Sequence, residues 1–137
     1  MKNAIVLTIV LVLTFSLSGS TFAAQVYSGL IVDARELDVN PSKSPKIWDD
    51  SGNIIYGDLD IDPEYVIKVG IVQYESTVGD AIRHETAGRN PIVVRALRRG
   101  THPYNADVVI SKEDGKWIIK ANNRSYFLEL LKVVFVI

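Results

Sequence analysis

Apolar residues fall into two kinds of run along this chain: one long block at the start and a series of short blocks behind it. From Ala4 to Leu17 the chain is apolar apart from small hydroxyl residues, and Lys2 stands in front of it. That length suits the hydrophobic stretch of an export signal and falls short of the roughly 20 apolar residues needed to span a bilayer. Ser18, Gly19 and Ser20 then interrupt any helix, and Thr21 and Ala23 place small side chains where a signal peptidase cutting after Ala23 reads them. The expected organisation is a signal peptide over residues 1–23 and one globular domain over residues 24–137, with no membrane span once the leader is removed.

The short blocks that follow change period along the chain. Leu30-Ile31-Val32 is a continuous apolar centre inside Val26 to Ala34, which predicts a strand covered on both faces. Asn40 to Pro45 contains two prolines and reads as a loop. Lys46-Ile47-Trp48 and Ile54-Ile55-Tyr56 flank Asp49-Asp50-Ser51-Gly52-Asn53, a pattern that predicts a hairpin. Asp62-Pro63-Glu64 is a helix start, with Asp62 as N-cap and Pro63 in the first turn, and Gly70 supplies the stop.

Ile71 to Tyr74 reads as a brief strand or extended link. Ser76 or Thr77 is expected to cap a second helix reaching about Ala87 and closed by Gly88. Ile92 to Leu97 and Asp107 to Ile110 read as paired strands, and Ser111 with Asp114 as the capping pattern of a third helix, with Trp117, Ile118 and Ala121 on one side of it. Gly115 weakens that helix by about 1 kcal/mol relative to alanine. The run Val133 to Ile137 is too apolar for an exposed edge and is expected inside a sheet. It would lie parallel to Asp107–Ile110 if both strands share one sheet. Together these elements predict an α+β domain: a single mixed β-sheet of four to five strands with two to three helices packed against it.

Composition narrows the setting. The 137 residues include no cysteine, so the domain is held by burial without disulfides, and a bacterial envelope suits it better than a eukaryotic extracellular space. Without Lys2, 14 basic residues face 16 acidic ones, a net charge near −2 that draws the domain neither to nucleic acid nor to anionic lipid. Arg95, Arg98 and Arg99 gather near one strand end, where Arg95 and Arg99 would share a face with Arg98 turned away.

Candidate chemistry is sparse. His84 and His102 have no histidine or cysteine at ligand spacing, and neither a serine-hydrolase elbow nor a phosphate-binding glycine loop occurs. No cofactor is expected. The alternating carboxylates Asp58, Asp60 and Asp62 share a face if extended and are candidate calcium ligands, weighed against an exposed loop that ends in a helix cap. Asp33, Arg35 and Glu36 stand at the carboxyl end of the first strand, where α/β folds often bind ligands; Asp33 and Arg35, two residues apart, equally suit a structural ion pair.

Tyr27 to Arg35, Ser44 to Ile47 and Ile55-Tyr56-Gly57, with Asn90 to Ala96 and Asp107 to Ser111, together resemble bacterial envelope proteins of unknown function. These are similar to the small lipoprotein family that includes flagellar outer-membrane and assembly proteins. The resemblance implies no catalytic residues. Glu36 stands where that pattern has glycine in an Asp-Ala-Arg-Gly run, and the lipid-bearing cysteine is absent. The expected function is a non-enzymatic periplasmic module that associates with itself or another envelope protein. The competing expectation is a small ligand- or calcium-binding exported protein, or a hydrolase without a recognisable motif.

Overall fold

The computed structural model describes residues 25–101 and 104–137, so the expected leader over residues 1–23 and His102 lie outside the described residues. The protein is α+β, as its pattern predicts, but its strands divide between two sheets of four instead of forming one. The first sheet holds β1 (Gly29–Asp33), β4 (Gln73–Glu75), β5 (Pro91–Arg95) and β8 (Val133–Val136). The second holds β2 (Ile47–Asp49), β3 (Ile54–Tyr56), β6 (Arg98–Arg99) and β7 (Val108–Ile110).

Every pairing in the first sheet is parallel, in the order β4-β8-β1-β5. Parallel sheets require cover on both faces, which is why β1 and β8 read as unbroken apolar runs. All residues of both strands are buried, and the final apolar run lies between two neighbours as expected. Leu30, Val32, Val133 and Phe135 point into the main core, while Ile31, Val134 and Val136 meet Ala81 and Ala87 on the other side. A Cβ on Gly29 would stand 2.6 Å from the Ala87 carbonyl oxygen and 3.0 Å from that of Lys132, so this entrance to β1 admits glycine alone.

The cover on that second side is α2 (Val78–Arg83), with Thr77 Oγ1 accepting the Asp80 N–H at 3.0 Å as N-cap. The helix ends sooner than the sequence predicts. His84 takes extended backbone and its Nδ1 accepts the Thr86 N–H at 3.0 Å, which starts a separate 3-10 turn over Glu85–Ala87. The preceding helix, α1 (Pro63–Lys68), begins on Asp62 and stops before Gly70 at φ 84°, as its start and stop residues predict.

The second sheet runs β3-β2-β7-β6 and is mixed. β2 and β3 form the expected hairpin, β7 joins β2 in parallel, and β6 pairs antiparallel with β7. The partner of β7 is therefore not the strand over Ile92–Leu97 that the pattern pairs with it. Ala96 N–H still donates to Asp33 O at 2.9 Å, whereas the next residue, Leu97, donates to Val109 O at 2.8 Å. Successive N–H groups of an extended chain point to opposite sides, so one continuous segment edges both sheets.

The third helix, α3 (Lys112–Ser125), follows β7 directly, capped by Ser111 Oγ accepting the Asp114 N–H at 3.0 Å. Ile118 and Ala121 face the core, while Trp117 stays 40% exposed and packs edge-on against Tyr27 at 5.7 Å. The crossover then enters the first sheet, so β8 lies parallel to β1 and β4, not beside β7. Gly115 explains itself here: a Cβ would meet Ile55 Cδ1 at 3.1 Å and Asp49 Cβ at 3.3 Å. Helix propensity is given up so that α3 can lie close against the hairpin.

Candidate functional site

Asp33 ends β1 beside Arg95 of β5, its partner in the parallel register. Arg35 Nε donates to Asp33 Oδ1 and Arg35 Nη2 to Asp33 Oδ2, both at 2.9 Å, and Arg95 Nη1 adds a third bond to Oδ2 at 3.1 Å. The Arg35 guanidinium, with Arg95 beside it, holds the Asp33 carboxyl below the usual carboxylate range against the opposing effect of burial. Asp33 and Arg35 thus form the ion pair their spacing suggests. Glu36 is not part of it: it is exposed and takes left-handed backbone at φ 68°, beside a hollow that it shares with Asp38 and Ile137.

The remaining buried carboxylates are engaged in the same way. Asp49 Oδ1 accepts the N–H groups of Ser51 and Asn53, both at 2.9 Å, and its Oδ2 accepts from the Asn53 amide at 3.0 Å. Asn53 holds the Asp49 carboxyl below its ordinary range and ties the hairpin turn. Asp107 Oδ1 accepts the Lys46 N–H at 2.9 Å and Oδ2 the Trp48 indole N–H at 3.0 Å, joining the loop before β2 to the start of β7.

The three arginines read as one cluster separate in space. Arg95 serves Asp33 at 3.1 Å, Arg98 reaches Asp50 at 2.7 Å, and Arg99 reaches Asp38 at 3.4 Å. Arg95 and Arg99 do not share a face, because the chain changes sheets between them. Of the acidic run, Asp62 Oδ1 accepts the Glu64 N–H at 3.1 Å and is committed as the cap of α1. Asp58 and Asp60 are exposed in the loop before it, and among the described residues no group of three or more histidine or carboxylate side chains is placed to hold a metal ion. His84 lies 4.0 Å from Glu75.

Two openings flank the second sheet. A cleft of about 510 Å³ lies over β2, β6 and β7, with Trp48, Asp50, Arg98 and Thr101 on its walls. On the other side of the hairpin a groove of about 480 Å³ runs between β3 and α3, with Ile54, Ile55, Gly115 and Ile119 in its lining and Lys112, Lys116 and Lys120 along it. A further hollow of about 280 Å³ continues it past the same isoleucines towards Asp58 and Glu129.

A family model built on the second domain of Treponema pallidum Tp0624 matches residues 29–137, from the first residue of β1 onward. The chain belongs to that family. The Tp0624 second-domain family is bacterial, and the match does not connect it to the flagellar lipoproteins that the sequence resembles. No curated protein matches the chain. No helix among the described residues is long and apolar enough to cross a membrane.

Within this Tp0624-type domain, sequence reasoning missed Asp107 and Asp49 as organising carboxylates and missed the groove altogether. Asp49 carried a readable signal, since an aspartate two and four residues before N–H groups of a turn accepts from both. The lysine row carried one too, because residues 112, 116 and 120 repeat at one helical face. The bond from Trp48 to Asp107 spans 59 positions and has no local signature.

Proposed function

We propose that this domain is a non-catalytic assembly module of the bacterial envelope, holding another envelope protein or a second copy of itself. One observation carries the reading: the buried carboxylates Asp33, Asp49 and Asp107 each have both oxygens bound by donors of the domain itself. Carboxylates so engaged act as internal ties, and an acid or base in catalysis needs a lone pair or proton that substrate can reach. The family adds support, since it is defined on one domain among others in a longer protein, which is how binding modules are commonly deployed.

The periplasmic setting belongs to the same proposal and rests on the leader pattern over residues 1–23. A flagellar or outer-membrane role is its narrower form and rests on the sequence resemblance. A second reading, a small-ligand site, is favoured by the 510 Å³ cleft, where an indole, a carboxylate and a guanidinium line one opening.

Crosslinking in the native envelope followed by recovery of the protein tests the main reading. A specific crosslinked protein partner, or an oligomer by light scattering, is expected. A protein that is monomeric and yields no crosslinked partner overturns it.

A further inference from the structure

The groove between β3 and α3 combines three properties. β3 is an edge strand, paired to β2 on one side only, so its other edge offers backbone groups to a further strand. The floor is apolar and reachable, with Ile54 38% and Ile119 43% exposed. Along the opposite wall stand Lys112, Lys116 and Lys120, all exposed, and Arg124 continues the same helical row.

No ion pair involves any of these four cations among the described residues, whereas Arg35, Arg83, Arg95, Arg98 and Arg99 each have one. Lys112 feels the charge of Asp49, but the Asp49 oxygens are already bound by the hairpin turn. Asp49 lines the groove at the Lys112 end, and the rest of the row has no ion-pair partner among the described residues.

Spacing says what fits it. Residues four apart on a helix are separated by about 6 Å along its axis. Alternate residues of an extended strand, which share one face, are separated by about 6.6 Å. Carboxylates at every second position of a strand laid on β3 would therefore keep step with Lys112, Lys116 and Lys120 and lie beside Ile119, and the residues between them would turn to the sheet's other face, on the side of Ile54. Asp58 and Glu129 border the far end and disfavour carboxylates there, so the acidic part of an occupant belongs at the lysine end.

We propose that this groove binds an extended, acidic segment of another protein, added as a strand to the free edge of β3 with its carboxylates on the lysine row of α3. This rests on the assembly-module reading and names the surface and the partner chemistry for it. A flat anionic membrane meets the lysine row but not the recessed edge of β3, so a peptide uses more of what the groove offers.

The test uses the purified protein as its host processes it and a fluorescent octapeptide of alternating glutamate and valine, with alternating lysine and valine as control. The glutamate peptide should bind at least tenfold more tightly than the control. The double variant Lys116→Glu/Lys120→Glu should lose at least tenfold in affinity with an unchanged melting temperature, and amide resonances of Ile54–Tyr56 should shift on titration. Equal binding of both peptides, retention of affinity in the double variant, or binding of phosphatidylglycerol vesicles in place of peptide overturns the proposal. Light scattering that shows a dimer dispersed by the double variant overturns it in favour of a second copy as occupant. If crosslinking in the envelope recovers the same protein partner with the double variant, the groove is rejected while the module reading stands; if no partner is recovered with either form, the module reading itself fails.

Discussion

The two sheets of this domain do different jobs. In the first, the five residues of β1 and the four of β8 are wholly buried, and helix α2 and the main core close both faces. In the second, no strand exceeds three residues, the edge strand β3 leaves Ile54 exposed, and openings of about 510 and 480 Å³ lie against the sheet. Stability is concentrated where the chain reads as unbroken apolar runs. The 510 and 480 Å³ openings lie where short strands are held together by aspartate ties.

The contrast can be broken most directly by truncating one residue in each sheet. Phe135 is fully buried and packs edge-on against Tyr74 at 5.9 Å, so Phe135→Ala should cost about 3–5 kcal/mol in urea unfolding. Ile54→Ala, at an exposed position of the second sheet, should cost less than about 1 kcal/mol. Similar losses at the two positions would show that the sheets share the load, and the division argued above would not hold.

A middle-sized effect tests the tie at the end of the first sheet. The folded Asp33 carboxyl titrates below its unfolded value of about 3.9, so the stabilisation is complete above that pH and is lost as pH falls through the depressed folded value. Arg35 and Arg95 are 44% and 57% exposed, and water screens them, so Asp33→Asn should cost about 1 kcal/mol at pH 7. Stability curves of the variant and the natural protein should converge as pH falls through the depressed folded value; curves that stay parallel throughout the acid range would mean that Asp33 does not contribute through its charge.

The smallest effect concerns Glu36. Left-handed backbone costs a non-glycine residue about 1–2 kcal/mol, and glycine's larger freedom in the unfolded chain takes back roughly 0.5–1 kcal/mol. Glu36→Gly should therefore raise stability by about 0.5 kcal/mol in the same unfolding experiment, and a loss would show that the glutamate charge matters to Arg35 beside it.

Much of this was legible where the signal is local. The hairpin, the caps at Asp62, Thr77 and Ser111, and the buried runs of β1 and β8 follow from residues within a few positions of one another. Even the glycine expected at position 36 from resemblance has a physical counterpart in the φ of 68° found there. The division into two sheets was not legible, because Val94-Arg95-Ala96-Leu97 reads as one strand and nothing local says that Ala96 and Leu97 bond to different sheets. At the site, Asp33 with Arg35 was readable at a spacing of two, but Arg95 joins them across 62 positions through strand register alone. The groove was hidden for a similar reason: its walls come from residues near 54 and near 116, and only the approach allowed by Gly115 brings them together.

β8 sits between β4 and β1 at the centre of the first sheet yet follows every other strand in chain order. A polypeptide emerging from its amino end can form the hairpin and the capped helices early, but the middle of its most buried layer stays open until residues 133–136 arrive. Closing a contact across about a hundred positions is slow compared with local folding. A chain built in this order cannot complete its most buried layer until its last strand is present, so folding of the first sheet waits on the final residues of the domain.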